Sequence, residues 1–109
     1  MPWLLRDGDV LASVEVAESF WARSRGLLGR SGYDGAFLLP HTRAVHTLGM
    51  RFPLDVAFLD RELTVVGVTR MVPWRMGLPR WGGRSVLEAS AGAFDRWHLA
   101  AGDRLEVRE

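Results

Sequence analysis

Apolar and polar positions switch period several times along the chain, and each switch marks an element. From Val10, the residues Val10, Ala12, Val14 and Val16 alternate with Leu11, Ser13 and Glu15. That is the period of a strand with one wetter face. Trp3–Arg6 is a short apolar stretch, and Asp7-Gly8-Asp9 after it is a turn by composition. The period then lengthens. Phe20, Trp21, Ser24, Leu27 and Leu28 fall on one helical face, Glu18 or Ser19 can cap its start, and Gly29 suits its end. One peripheral helix near residues 19–28 is therefore expected. Ala36–Leu39 is a buried strand stopped by Pro40. From Phe52 to Leu59 both faces of an extended chain are apolar except at Asp55, which predicts a central strand covered on both sides. Asp60-Arg61-Glu62 is a tight connection into the β-branched run Leu63–Thr69, which predicts a hairpin. Met71–Gly83 has no period and reads as a loop. Val86–Ala89 is a short strand, Ala91–His98 allows a helical turn or two, and Leu105 and Val107 begin a last strand with a solvated face.

These elements predict one mainly β domain over residues 1–109: an antiparallel sandwich or jelly-roll-like rolled sheet with one peripheral helix. The length fits a single domain that buries one core without staples.

Composition then removes chemistry. The chain has no cysteine, and every one of its 14 basic residues is arginine. Thiol nucleophiles, disulfides, thiolate metal sites, Schiff bases and P-loop lysines are excluded. The absence of lysine, asparagine and isoleucine beside abundant arginine, alanine and glycine is the mark of a GC-rich genome. A net charge of +1 gives no general drive toward nucleic acid or anionic membrane. No apolar run reaches the roughly 18 residues of a membrane span, and no signal peptide pattern opens the chain, so a cytoplasmic address is expected.

Three segments taken together resemble a known family. They are Ala22-Arg23-Ser24-Arg25-Gly26-Leu27-Leu28, then His46-Thr47-Leu48-Gly49-Met50-Arg51-Phe52-Pro53-Leu54-Asp55-Val56-Ala57-Phe58-Leu59-Asp60, then Val86-Leu87-Glu88-Ala89-Ser90-Ala91-Gly92 with the later Gly102-Asp103. In this order and spacing they resemble the bacterial and archaeal domain of unknown function 192, over roughly Val14 to Val107. The resemblance implies a small jelly-roll-like β domain and no established activity. Many members look exported and place a tryptophan and an asparagine where this chain has His46-Thr47. The chain is similar to the shorter, leaderless branch.

Asp55 is the most informative single residue. A carboxylate in an apolar strand must be paired, hydrogen-bonded or protonated. One reading is a structural anchor that caps backbone amides or pairs with Arg25 or Arg51. The other is an acid/base or metal-binding group. His46 precedes the same strand, and imidazole can move a proton or ligate a metal. His41 lies on the opposite face of an extended chain, so the two do not form a convincing chelate, and no metal site or cofactor is expected. A Ser-His-Asp set from Ser85 or Ser90, His46 and Asp55 lacks the nucleophile elbow, and Gly26-x-x-Gly29-x-x-Gly32 reads as helix end and loop.

The loop from Arg70 to Arg84 interleaves Arg75 and Arg80 with Trp74, Met76 and Trp81. Arginine and tryptophan dominate interface hot spots, yet tryptophans can also plug an open sheet end. Three functions stay open. The first is a binding module that engages a protein, peptide or small ligand through Trp74, Trp81, Arg75, Arg80 and Met50. The second is a small enzyme or metal-assisted hydrolase with His46, Asp55, Arg51 and Glu88 in one cleft. The third is a structural appendage. Nucleic acid is disfavoured for want of a larger basic groove. Partner identity and oligomeric state are not legible.

Overall fold

The computed structural model describes residues 2–17, 35–77 and 82–109. The described residues are mainly β, with one short helix. The strands are β1 (Trp3–Arg6), β2 (Asp9–Val16), β3 (Ala36–Pro40), β4 (Leu54–Leu59), β5 (Val65–Met71), β6 (Ser85–Ser90) and β7 (Leu105–Arg108). The helix, α1 (Ala93–Trp97), lies between β6 and β7. The helix expected near residues 19–28, and Arg25 with it, lie outside the described residues.

The strands form one seven-stranded sheet in the order β5-β4-β6-β3-β2-β1-β7, not two separate layers. The pairing is mixed, because β2 and β3 run parallel while every other neighbouring pair is antiparallel. The two end strands meet. Thr64 bridges Arg104, the Val65 amide donates to the Asp103 carbonyl at 2.8 Å, and the Leu105 amide donates to Leu63 at 2.9 Å. The sheet is thus rolled until its ends touch, which removes part of the exposed edge.

Rolling divides the apolar residues into two cores by strand parity. Leu4, Val14, Leu38, Ala57, Leu59, Leu87, Ala89 and Leu105 fill the inside, where Phe94 of α1 packs among them. Phe37, Leu39, Leu54, Val56, Phe58 and Val86 form the outer face, covered by Val45, Met50 and Met71. All six residues of β4 are buried, as expected of a central strand covered on both sides. Its start is Leu54, not Phe52, because Pro53 precedes it and lacks the amide a ladder needs.

The expected hairpin forms between β4 and β5, with one irregularity. Phe58 faces Gly67 while Leu59 faces Val65, so Val66 is an extra residue, a β-bulge. Met71 closes β5 and does not open a loop. No helix among the described residues is long and apolar enough to cross a membrane.

Candidate functional site

Two irregular stretches lie side by side over the outer core. They are residues 41–53, between β3 and β4, and the described residues 72–77 and 82–84, between β5 and β6. The Thr42 amide donates to the Arg84 carbonyl at 3.1 Å, the Gly77 amide to Val45 at 2.8 Å, and His46 bridges Met76. The two segments singled out in the sequence are therefore neighbours.

Thr47 holds them together. It is fully buried. Its amide donates to the Arg75 carbonyl at 2.8 Å, and its carbonyl accepts from Trp74 at 2.8 Å and from Met50 at 3.1 Å. Its hydroxyl accepts the Arg75 amide at 2.9 Å and donates to the Val72 carbonyl at 2.6 Å. The Arg75 carbonyl also stands 3.4 Å from the hydroxyl, but a single proton goes to the shorter contact. Sequence reasoning quoted Thr47 only as part of a motif.

The clamp fixes an outward-facing surface. Leu48, Val72, Trp74 and Met76 are exposed, Trp74 by 65% and Met76 by 72%. Trp74 also sits at φ 66°, a left-handed conformation that bulky residues avoid. Its amide bond to Thr47 and the bonds to its neighbour Arg75 hold it there. Met50, by contrast, is buried in the outer core and supports the surface from beneath. Arg75 is exposed. Arg80 and Trp81 lie outside the described residues.

The four residues proposed for a catalytic cleft are not gathered in one place by strand parity. Asp55 faces Ala89 across β4 and β6, on the inside of the roll, whereas Glu88 faces Val56 on the outside. Asp55 Oδ1 accepts from Arg70 Nε at 2.9 Å, and Oδ2 accepts from the Gly92 and Phe94 amides at 2.9 and 3.1 Å. It caps the start of α1 from a distant strand, satisfying amides that Gly92 has no side chain to serve. Its arginine is Arg70, brought opposite by the hairpin register, rather than Arg51, which is exposed. The hydrogen bond that Arg70 donates to the Asp55 carboxylate, with the charge of that carboxylate, pushes the pKa of its guanidinium above the ordinary value. His46 is exposed, and its Nδ1 accepts the Leu48 amide at 3.3 Å. Among the described residues, no group of three or more histidines and carboxylates could hold a metal ion.

Glu88 is different. It is buried between Phe37 and Val56 on the neighbouring strands, and its Oε1 has no hydrogen-bond partner among the described residues. Burial pushes its carboxyl up to about 7.

Charge separates along the chain in a way the net value conceals. Residues 36–54 and 63–87 carry six of the 14 arginines, with His41 and His46, and none of the 13 carboxylates. The remaining eight arginines face all 13 carboxylates. Arg43, Arg51, Arg75 and Arg84 are exposed, and none is ion-paired among the described residues. The outer layer is therefore apolar and basic.

A rolled, mainly β domain with an apolar, basic layer clamped over its outer face defines the class to which this chain belongs. The family model DUF192, described as uncharacterized ACR, matches residues 4–107. The chain belongs to the DUF192 family, whose curated members are named UPF0127. A UPF0127 protein of Pyrococcus abyssi is 37% identical over 98 residues, which span 85% of this chain and 84% of that one. A solved protein of unknown function from Novosphingobium aromaticivorans superposes with a TM-score of 0.81 at 21% identity, covering 96% of this chain and 82% of its own. A solved protein of Sinorhizobium meliloti, named as a candidate transcription regulator, superposes with a TM-score of 0.80 at 25% identity, covering 97% and 91%. The family is uncharacterised, and no specific function is known for it.

Proposed function

We propose that the protein is a binding module, and that its working surface is the clamped layer of residues 46–51 and 72–77. The observation that carries this reading is the exposure of Leu48, Val72, Trp74 and Met76 on two segments that Thr47 pins to one another. An isolated exposed apolar residue needs no explanation, but a cluster containing tryptophan and methionine marks an interaction surface. The clamp matters energetically. A surface already ordered by buried hydrogen bonds loses less side-chain and loop entropy on binding. Holding Trp74 in an unfavourable backbone region costs on the order of 1–3 kcal/mol, a strain that clusters at functional positions.

The test is a Trp74→Ala/Met76→Ala double variant. Both side chains are exposed, so the circular dichroism spectrum should be unchanged. Peptides or proteins that bind the wild type should bind the variant at least about tenfold more weakly, as expected when hot-spot side chains are removed. A correctly folded variant that keeps every partner rules the reading out. The module is proposed to act in the cytoplasm, which fractionation of cells expressing the tagged protein would check.

A further inference from the structure

Among the described residues, β5 has a free edge that continues directly into the proposed binding surface. β5 pairs with β4 on one side only. On its other side, Val65 uses its backbone to meet Gly102 and Asp103. Beyond the bulge at Val66, the five residues Gly67–Met71 have no backbone partner on that side among the described residues. Val68, Thr69 and Arg70 are exposed in succession. A row of unpaired amides and carbonyls is a template for another strand unless something blunts it. No proline interrupts it before Pro73. Arg70 does not block it outright, because its guanidinium reaches to Asp55 and Asp95. The same stretch of chain then presents Val72 and Trp74.

We infer that this surface takes an extended, acidic, apolar segment of another protein, laid as an added strand along Gly67–Met71 and running on over Val72 and Trp74. The inference rests on the binding reading above and names its partner. Backbone pairing supplies a sequence-independent grip, and alternate side chains supply selectivity. Val72 and Trp74 offer apolar contacts for one set of partner side chains, and Val68, opposite Ala57 of the inner core, offers one on the other face of the strand. Arg51 and Arg75, exposed and without an ion-pair partner among the described residues, select acidic residues elsewhere along the segment.

Charge and backbone pairing decide against the two other occupants. A second copy would bring the exposed Arg51 and Arg75 of one layer against those of another, and like charges facing across strands repel. Nucleic acid cannot pair with a backbone edge, so it would leave the donors and acceptors of β5 unused.

The experiment is selection of a random linear peptide library on the full chain, followed by fluorescence anisotropy with synthetic versions of the enriched sequences. Enriched peptides should alternate apolar residues with Asp or Glu. Their affinity should fall about tenfold or more when the acids become Asn or Gln, or when salt rises from about 50 to about 200 mM. Methylating alternate backbone amides should abolish binding, because the added strand loses its donors. Enriched peptides that need Trp74 and Met76 but are neutral or basic, or that tolerate amide methylation, overturn this inference and leave the binding surface standing. No enrichment, or peptides that bind the folded Trp74→Ala/Met76→Ala variant unchanged, overturns both. Tighter binding of oligothymidylate than of any acidic peptide, or self-association through β5 seen by sedimentation, also overturns the acidic-strand partner.

Discussion

The hydroxyl of Thr47 accepts the Arg75 amide at 2.9 Å while the Thr47 amide donates to the Arg75 carbonyl at 2.8 Å. Two residues 28 apart in sequence are thereby locked together in both directions. The segment between Pro40 and β4 cannot move without dragging Val72, Trp74 and Arg75 with it.

Thr47→Val keeps the shape and removes the hydroxyl. The Arg75 amide and the Val72 carbonyl would then lose their partner, and each unsatisfied group costs about 1–3 kcal/mol when buried. We expect a loss of roughly 2–4 kcal/mol by urea unfolding. Thr47→Ser, which keeps the hydroxyl, should lose about 1 kcal/mol, the value of one buried methyl. Equal effects for the two would mean that the hydroxyl does not hold the clamp.

Asp55 distinguishes amide capping from ion pairing. The Arg70 side chain is 51% exposed, so its pair with Asp55 is screened by solvent, and Arg70→Ala should cost less than about 1 kcal/mol. Asp55→Ala strips the Gly92 and Phe94 amides and should cost about 3 kcal/mol or more. Asp55→Asn should lie much closer to the wild type than to the alanine variant, because its amide oxygen can keep the Gly92 and Phe94 amides while its NH2 group displaces only the half-exposed Arg70. Chemical denaturation of the three variants checks the order. An Arg70 effect as large as that of Asp55 would shift the weight to the ion pair.

Glu88 makes stability depend on pH. Its carboxyl is held protonated up to about 7 when folded, against 4.5 when free. Below 4.5 both states carry the proton and the group is neutral to stability. Between 4.5 and about 7 only the folded state keeps the proton, so stability falls as pH rises. The fall amounts to something on the order of 3 kcal/mol and levels off above the folded value. In Glu88→Gln this portion of the pH profile should be flat, and the variant should be more stable than the wild type at pH 8. Thermal unfolding across the range, with both proteins in the same buffers, reads the difference. Parallel profiles would place the titration elsewhere.

Alternation in β2, the doubly apolar run of β4 and the β-branched run of β5 were legible because period and branching report local geometry directly. Asp55 was legible as a residue in need of partners, since a lone carboxylate in such a strand has few options. Its partners were not, because Arg70 and the Phe94 amide reach it through strand register and chain return over 15 and 39 residues. Parity also decided the candidate site. His46, Asp55 and Glu88 look close as letters, but Asp55 and Glu88 stand on opposite faces of one sheet. The parallel pairing of β2 with β3 and the meeting of β5 with β7 are global features that no single segment announces. The gathering of arginines without carboxylates in residues 36–54 and 63–87 shows in the sequence only when charges are taken by segment instead of over the whole chain.

The most direct measurement is amide chemical-shift mapping of an enriched acidic peptide on the isotope-labelled protein. Shifts should concentrate at Gly67–Met71, Val72–Met76 and His46–Arg51, with the largest at the Val68 to Arg70 edge amides and the Trp74 indole. Shifts confined to the turns at the far end of the roll, around Asp7-Gly8 and Gly102-Asp103, with the Trp74 indole unmoved, would contradict the assignment of this layer as the binding surface.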